Sequence, residues 1–261
     1  DGNCYVDFTS GQGVLNVGHC HPDVVAAVQQ QIGRISHALD FAGLPRVELA
    51  ERLRDIAPGS LRNTCKVFFS SPSGAEAVES AIKLAKFSSG KPGVISFEGG
   101  WHGTSGIALS LTGQKKYREP FLPAYPGVYH VPYPYCYRCR FGLGYPDCGL
   151  RCAQYLEHVV RDLDSGANSP ACVILEGIQG AGGHVVPPEG YLPEVRRICT
   201  QHGLILIVDE IMTGFGRTGR MFSCEHWDVT PDIMVISKSL GGELPLSGIL
   251  IREDLDSWAD G

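Results

Sequence analysis

The sequence carries no excess of basic residues: 22 Lys and Arg stand against 28 Asp and Glu, a formal net charge of −6. Proteins that hold nucleic acid or an anionic membrane surface need the opposite balance, so neither is expected as a main partner. Long apolar runs are missing too, and none approaches the roughly 20 residues that cross a bilayer. The opening stretch, DGNCYVDFTSGQG, lacks the basic-then-apolar pattern of a secretory signal, which makes the cytoplasm the expected location. No internal repeat or low-complexity tract is visible. That argues against solenoid architectures and linker-like chains.

What is present is an ordinary globular composition, with 43% hydrophobic and 19% charged residues over 261 positions, enough for one large α/β domain or two smaller ones. Short apolar runs recur at CKVFFS (65–70), GVISFE (93–98), GVYHV (127–131), ACVILE (171–176), LILIVD (204–209), DIMVIS (232–237) and LSGILI (246–251). Helical patterns lie between them. Ala77, Ala81, Ile82 and Ala85 fall on one face of GAEAVESAIKLAKFSS (74–89), and GYLPEVRRICTQHG (190–203) closes on Gly203. This alternation predicts an α/β fold, a mostly parallel central sheet with helices on both faces. The Pro-, Gly-, Cys- and Tyr-rich stretch 120–149 reads as an irregular insertion.

In such sheets ligands bind beyond the carboxyl ends of the strands. Glu176, Asp209 and Lys238 each stand at or just after such an end, so all three are expected at one crevice. A lone lysine there ordinarily snorkels to water; the alternative is a desolvated amine suited to Schiff-base chemistry. Asp209, alone, reads as a turn-capping residue, or as a buried anion facing a pyridinium nitrogen. Ser73, Gly74 and Ala75 open a helix, which is a common N-cap and also an anion site of backbone N–H groups. Trp101 and His102 lie in the glycine-rich loop FEGGWHG, where an indole suits either core packing or stacking on a flat ring. A phosphate cup, an aromatic stacker, a buried Asp and a strand-end Lys, in that order, describe a pyridoxal 5′-phosphate (PLP) site.

The chain also resembles the class III aminotransferases, which are fold type I PLP enzymes. The resemblance rests on GHCHPDVVAAV (18–28), SGAEAVESAIKLAK (73–86), WHG (101–103), EGIQGAGG (176–183), PPEGYLPEVRRIC (187–199), VDEIMTGFGRTG (208–219) and TPDIMVISKSLGGELPL (230–246). It implies that Lys238 forms the Schiff base and shuttles protons, that Asp209 pairs with the pyridinium nitrogen, and that Ser73, Gly74 and Ala75 hold the phosphate. It further implies that Trp101 stacks on the cofactor and faces substrate, that His102 supports the cofactor, and that Glu176 sits near the substrate or orders the site. Residues 1–44 become a lead-in segment and 45–261 the PLP-binding large domain. A C-terminal small domain, with the substrate-carboxylate arginine and a phosphate contact to a partner subunit, is expected outside this chain. A homodimer or dimer of dimers is implied, with a small amine or amino acid and a keto acid as substrates.

Several motifs are similar to the dialkylglycine decarboxylase branch, including DFTSGQ (7–12), where the resemblance places Gln12 beside the leaving carboxylate. Met212 departs from that branch, standing where it and many relatives carry a Gln that bonds the cofactor's phenolic oxygen. Thr104, Gly177, Ala181 and Glu243 depart as well. Transamination is therefore the first expectation, with decarboxylating transamination and a racemase or lyase reaction as alternatives. A different class of reading comes from Cys136, Cys139, Cys148 and Cys152, spaced as C-x2-C and C-x3-C. They suit a closed zinc site, reduced free thiols or a disulfide. On that reading the chain is a non-catalytic scaffold stapled by metal.

Overall fold

The structure, a computed structural model, describes residues 1–38, 41–122 and 124–258. The expected insertion and large domain thus include positions, Pro123 and 259–261, that lie outside the described residues. The helices are α1 (Ser10–Gly13), α2 (Pro22–Ile32), α3 (Leu44–Ile56), α4 (Gly74–Ser89), α5 (Gly106–Leu111), α6 (Lys115–Arg118), α7 (Arg151–Arg161) and α8 (Tyr191–His202). The strands are β1 (Lys66–Phe69), β2 (Gly93–Phe97), β3 (Val128–Val131), β4 (Pro170–Leu175), β5 (Ile205–Asp209), β6 (Ile233–Ile236) and β7 (Gly248–Ile251).

One sheet takes the strands in the order β1-β7-β6-β5-β4-β2-β3. β3, β2, β4, β5 and β6 run parallel, while β7 runs against both β6 and β1. β2, β4, β5, β6 and β7 are buried along their whole length, as strands covered on both faces must be, which is why they read as unbroken apolar runs. Alternate side chains enter alternate cores. Ile95, Val173, Leu206 and Met234 pack with Leu53, Leu156 and Tyr191 from α3, α7 and α8. Val94, Cys172, Ile205 and Val235 pack with Ala77, Ala81, Ile82 and Ile107 from α4 and α5.

Helix limits follow local chemistry. Ser73 caps α4, its hydroxyl accepting from the Ala75 N–H at 3.2 Å. Gly90 and Gly203 close α4 and α8 at φ of 66° and 61°, in the left-handed region that only glycine enters at little cost. One expectation needs correction. The stretch 120–149 is not irregular throughout, because β3 lies inside it and pairs with β2 from Val94–Val128 to Phe97–Val131. Irregular chain flanks β3 on both sides, and the part after Val131 holds only the 3-10 turn Cys136–Arg138 before α7.

Candidate active site

The carboxyl ends of β2, β4, β5 and β6 open on the same side of the sheet, and each delivers a polar residue there. β5 ends on Asp209, which is 2% exposed. Its Oδ1 accepts from the Ile211 N–H at 3.0 Å, and its Oδ2 lies 2.7 Å from His102 Nδ1. The bond to Asp209 puts the imidazole proton on Nδ1. That leaves His102 Nε2 buried and without a partner, a costly state for a polar atom. His102 is held in turn by Thr112, whose Oγ1 accepts from the His102 N–H at 3.1 Å and donates to the Gly103 carbonyl at 2.8 Å.

Glu176 follows β4 and is 5% exposed. Its Oε1 accepts from the Trp101 N–H at 2.8 Å and its Oε2 from the Gly180 N–H at 2.9 Å, so one carboxylate ties two loops together. Burial pushes its pKa up, His102 opposes this, and the Asp209 charge adds to it. Trp101 is half-buried, with its ring edge-on to Tyr117 at 4.5 Å.

Lys238 comes two residues after β6, in a 3-10 turn, with a φ of 48°. A non-glycine residue in that region carries strain of order 1–3 kcal/mol, and such strain gathers at functional sites. Its Nζ lies 3.1 Å from Met212 Sδ. Burial pulls the amine below its ordinary range. The Asp209 and Glu176 carboxylates pull it back up, and the Arg217 guanidinium lowers it again. Glu176, Asp209 and Lys238 therefore converge, as their strand-end positions predict.

At the N-terminus of α4, Gly74 and Ala75 are half-buried beside Ser73. A Cβ on Gly74 would meet Ile211 Cδ1 at 2.8 Å, so glycine lets the turn close on the chain after Asp209. Gly103, at φ 139°, has the same role from the other side, since a Cβ there would meet those of Ala75 and Ala108 at 2.7 and 2.9 Å. Gln12 is exposed, with a φ of 59°. Its neighbour Gly13 reaches the site: a Cβ there would meet Met212 Sδ at 2.8 Å, and its carbonyl accepts from Ser239 Oγ at 3.1 Å.

Sequence reasoning missed three supports. Thr112 gave no signal, because its partners lie along a folded loop. Ser247 donates to the Ser71 carbonyl and to the Ser73 carbonyl, the latter at 2.9 Å, and only the reversal of β7 brings it there. Glu210, fully buried, accepts from Ser223 Oγ at 2.8 Å and the Cys224 N–H at 2.9 Å. An acid next to Asp209 in an apolar segment was its one visible sign. The four clustered cysteines are free and line a common crevice.

Comparison with known proteins matches this geometry to a class of enzyme. A solved (S)-enantioselective ω-transaminase from Thermomicrobium roseum superposes with a TM-score of 0.89 at 36% identity, over 96% of this chain and 57% of that one. The architecture is the α/β fold type I of PLP-dependent transferases. The chain belongs to the class III aminotransferases, whose family model, Aminotransferase class-III, matches residues 1–259. It is 41% identical over 263 residues to a diaminobutyrate–2-oxoglutarate aminotransferase of Rhizobium meliloti, covering 100% of this chain and 56% of the relative. It is also 41% identical over 256 residues to an acetylornithine aminotransferase of Methanopyrus kandleri, covering 98% and 59%. The chain thus spans a little over half the length of the curated relatives it matches.

Proposed function

We propose that this chain supplies the cofactor-binding part of a PLP-dependent aminotransferase, which moves an amino group from an amine or amino acid to a keto acid, with Lys238 as the Schiff-base lysine. The observation that carries the reading is the Lys238 amine, held by a left-handed backbone and lowered by burial, in the electrostatic reach of Asp209. The residues fit the cofactor. His102 Nε2 is a buried polar atom without a partner beside the site, Asp209 is a fixed buried anion, and the α4 N-terminus offers a phosphate the Gly74 N–H, with the Ala75 N–H joining it when the Ser73 hydroxyl turns from capping to the ligand.

When bound, PLP supplies an electron sink that weakens a Cα bond of the amine attached to it. Asp209 presents its charge to the pyridinium nitrogen, and His102 keeps that carboxylate oriented. Ser73, Gly74 and Ala75 hold the phosphate. Trp101, positioned through its N–H by Glu176, covers the ring and borders the substrate. Lys238 Nζ takes a proton from the substrate Cα and returns it. Met212 meets that amine with a thioether, which donates no hydrogen bond. Gln12, next to the Gly13 that packs against Met212, is assigned to the substrate. In a mixture of PLP and the full-length protein, borohydride should leave the phosphopyridoxyl mass on the Lys238 peptide. A label on Lys83 or Lys86 instead would overturn the assignment.

The Gln12 motif favours a second reaction, decarboxylating transamination, while a racemase or lyase reaction on the same scaffold ranks lower. Feeding 2-aminoisobutyrate with pyruvate and trapping the gas separates the first two. We expect little carbon dioxide, and its release in step with alanine would reverse the ranking. We place the enzyme in the cytoplasm as a homodimer or dimer of dimers. Exposed Tyr5, Val6, Phe8, Val17, Ile32 and Phe41 give the lead-in segment an apolar surface of the kind a partner covers. No helix among the described residues is long and apolar enough to cross a membrane.

A further inference from the structure

The proposed reaction makes no use of the segment between β3 and α7. It runs from Pro132 to Leu150 and contains one 3-10 turn, a length of loose chain that compact domains rarely carry without a reason. Its start is pinned, since Tyr133 is buried and its hydroxyl donates to the Glu176 and Gly177 carbonyls at 3.1 and 3.0 Å, but the anchors of the middle, around Arg140 and Phe141, are weak. Arg140 meets Glu98 at 3.3 Å with both side chains largely in water, a contact worth little, and Phe141 leans on Tyr155 at 5.9 Å between ring centres.

Yet its four cysteines come together. Cys136 and Cys139 bracket the 3-10 turn, where the Gly142 N–H donates to the Cys139 carbonyl at 3.1 Å. Cys148 closes a second turn through its N–H to the Gly144 carbonyl at 2.8 Å, and Cys152 sits in the first turn of α7. All four line one narrow crevice, with Arg140 and Arg151 at its wall.

We propose that Cys136, Cys139, Cys148 and Cys152 form a structural site for a thiophilic dication, Zn²⁺, that staples this segment to the start of α7. Both pairs have the two-to-four-residue spacing of structural zinc ligands, one on a tight turn and one at a helix start. On binding, each thiol gives its proton to solvent, so a dication held by four thiolates carries a net charge of about −2. Arg140 and Arg151 are placed to balance that charge. Among the described residues no three His, Cys, Asp or Glu side chains stand ready-made around a metal position. Closing the sphere therefore takes rotation of the four side chains within the crevice.

The test uses the full-length protein, purified reduced from zinc-supplemented culture, with bound metal measured by mass spectrometry. We expect about one zinc per chain and less than a tenth of that in the double variant Cys136→Ser/Cys139→Ser. After chelation, Co²⁺ alone should restore thiolate charge-transfer bands, and proteolysis within 132–149 should quicken in the chelated form. Zinc retained by the double variant overturns the proposal, as does a wild-type intact mass short by a disulfide's two hydrogens. If the variant fails to fold, the wild-type Co²⁺ spectrum decides alone, and its lack of thiolate bands overturns the proposal. No readout depends on PLP or turnover.

Discussion

A lysine that is both half-buried and in a left-handed backbone is held in an unfavourable state twice over, and both features leave measurable traces. Its folded-state pKa is lowered from 10.5, so just under 10.5 the unfolded chain binds more protons than the folded one, and stability rises with pH there. At lower pH both states hold the proton and the fold bears the full cost of burying an ammonium. Lys238→Met should therefore be more stable than wild type near neutrality, by a margin that closes as pH climbs towards 10.5, and urea titrations at several pH values would show it. Met212→Gln puts an amide oxygen where a thioether sulfur now sits 3.1 Å from the amine. An acceptor favours the ammonium, so the pH midpoint for loading PLP onto Lys238, followed by absorbance, should move up. Asp209→Asn removes the fixed charge and leaves the lysine in place. We expect turnover to fall by at least about a hundredfold while borohydride still traps PLP on Lys238. Unchanged turnover would contradict the role given to that carboxylate.

At the scale of elements, the start of α4 carries two separable duties. Ser73→Ala removes the cap to the Ala75 N–H and should cost about 1 kcal/mol in thermal unfolding without PLP. Gly103→Ala should leave that cap in place but push the WHG loop off the helix, weakening PLP binding on the order of tenfold, the size of about one hydrogen bond. α4 was legible to the residue, since its apolar stripe and Ser cap agree. So were the buried strands and the strand-end placement of Glu176, Asp209 and Lys238. Three features were not. An apolar run such as LSGILI says nothing of direction, so the reversal of β7 was hidden. The bond between His102 and Asp209 joins positions 107 apart, a pairing set by strand order alone. The extent of the insertion was the third: GVYHV (127–131) read as a strand, yet the composition of 120–149 drew the irregular stretch across it.

For the whole molecule, the far side of the sheet depends on Asp232. It is 4% exposed, accepts from the Leu206 N–H at 2.7 Å and from Arg196 at 2.8 Å, and pairs with Arg252. It thereby joins α8, β5 and the end of β7. Asp232→Ala strands these donors and should cost about 3 kcal/mol in urea unfolding, with the site residues untouched. At the crevice end, the reversed β7 has a different consequence. The Ser237 hydroxyl donates to the Leu246 carbonyl at 2.9 Å, and the next residue, Ser247, donates to the Ser73 carbonyl at 2.9 Å. The loop that carries Lys238 and the turn that opens α4 are thus two ends of one latch. Occupancy at either end quiets the other, a form of positive linkage that needs no change of shape. Inorganic phosphate alone, seated at residues 73–75, should slow amide exchange across 238–247 before any carbonyl compound reaches the lysine.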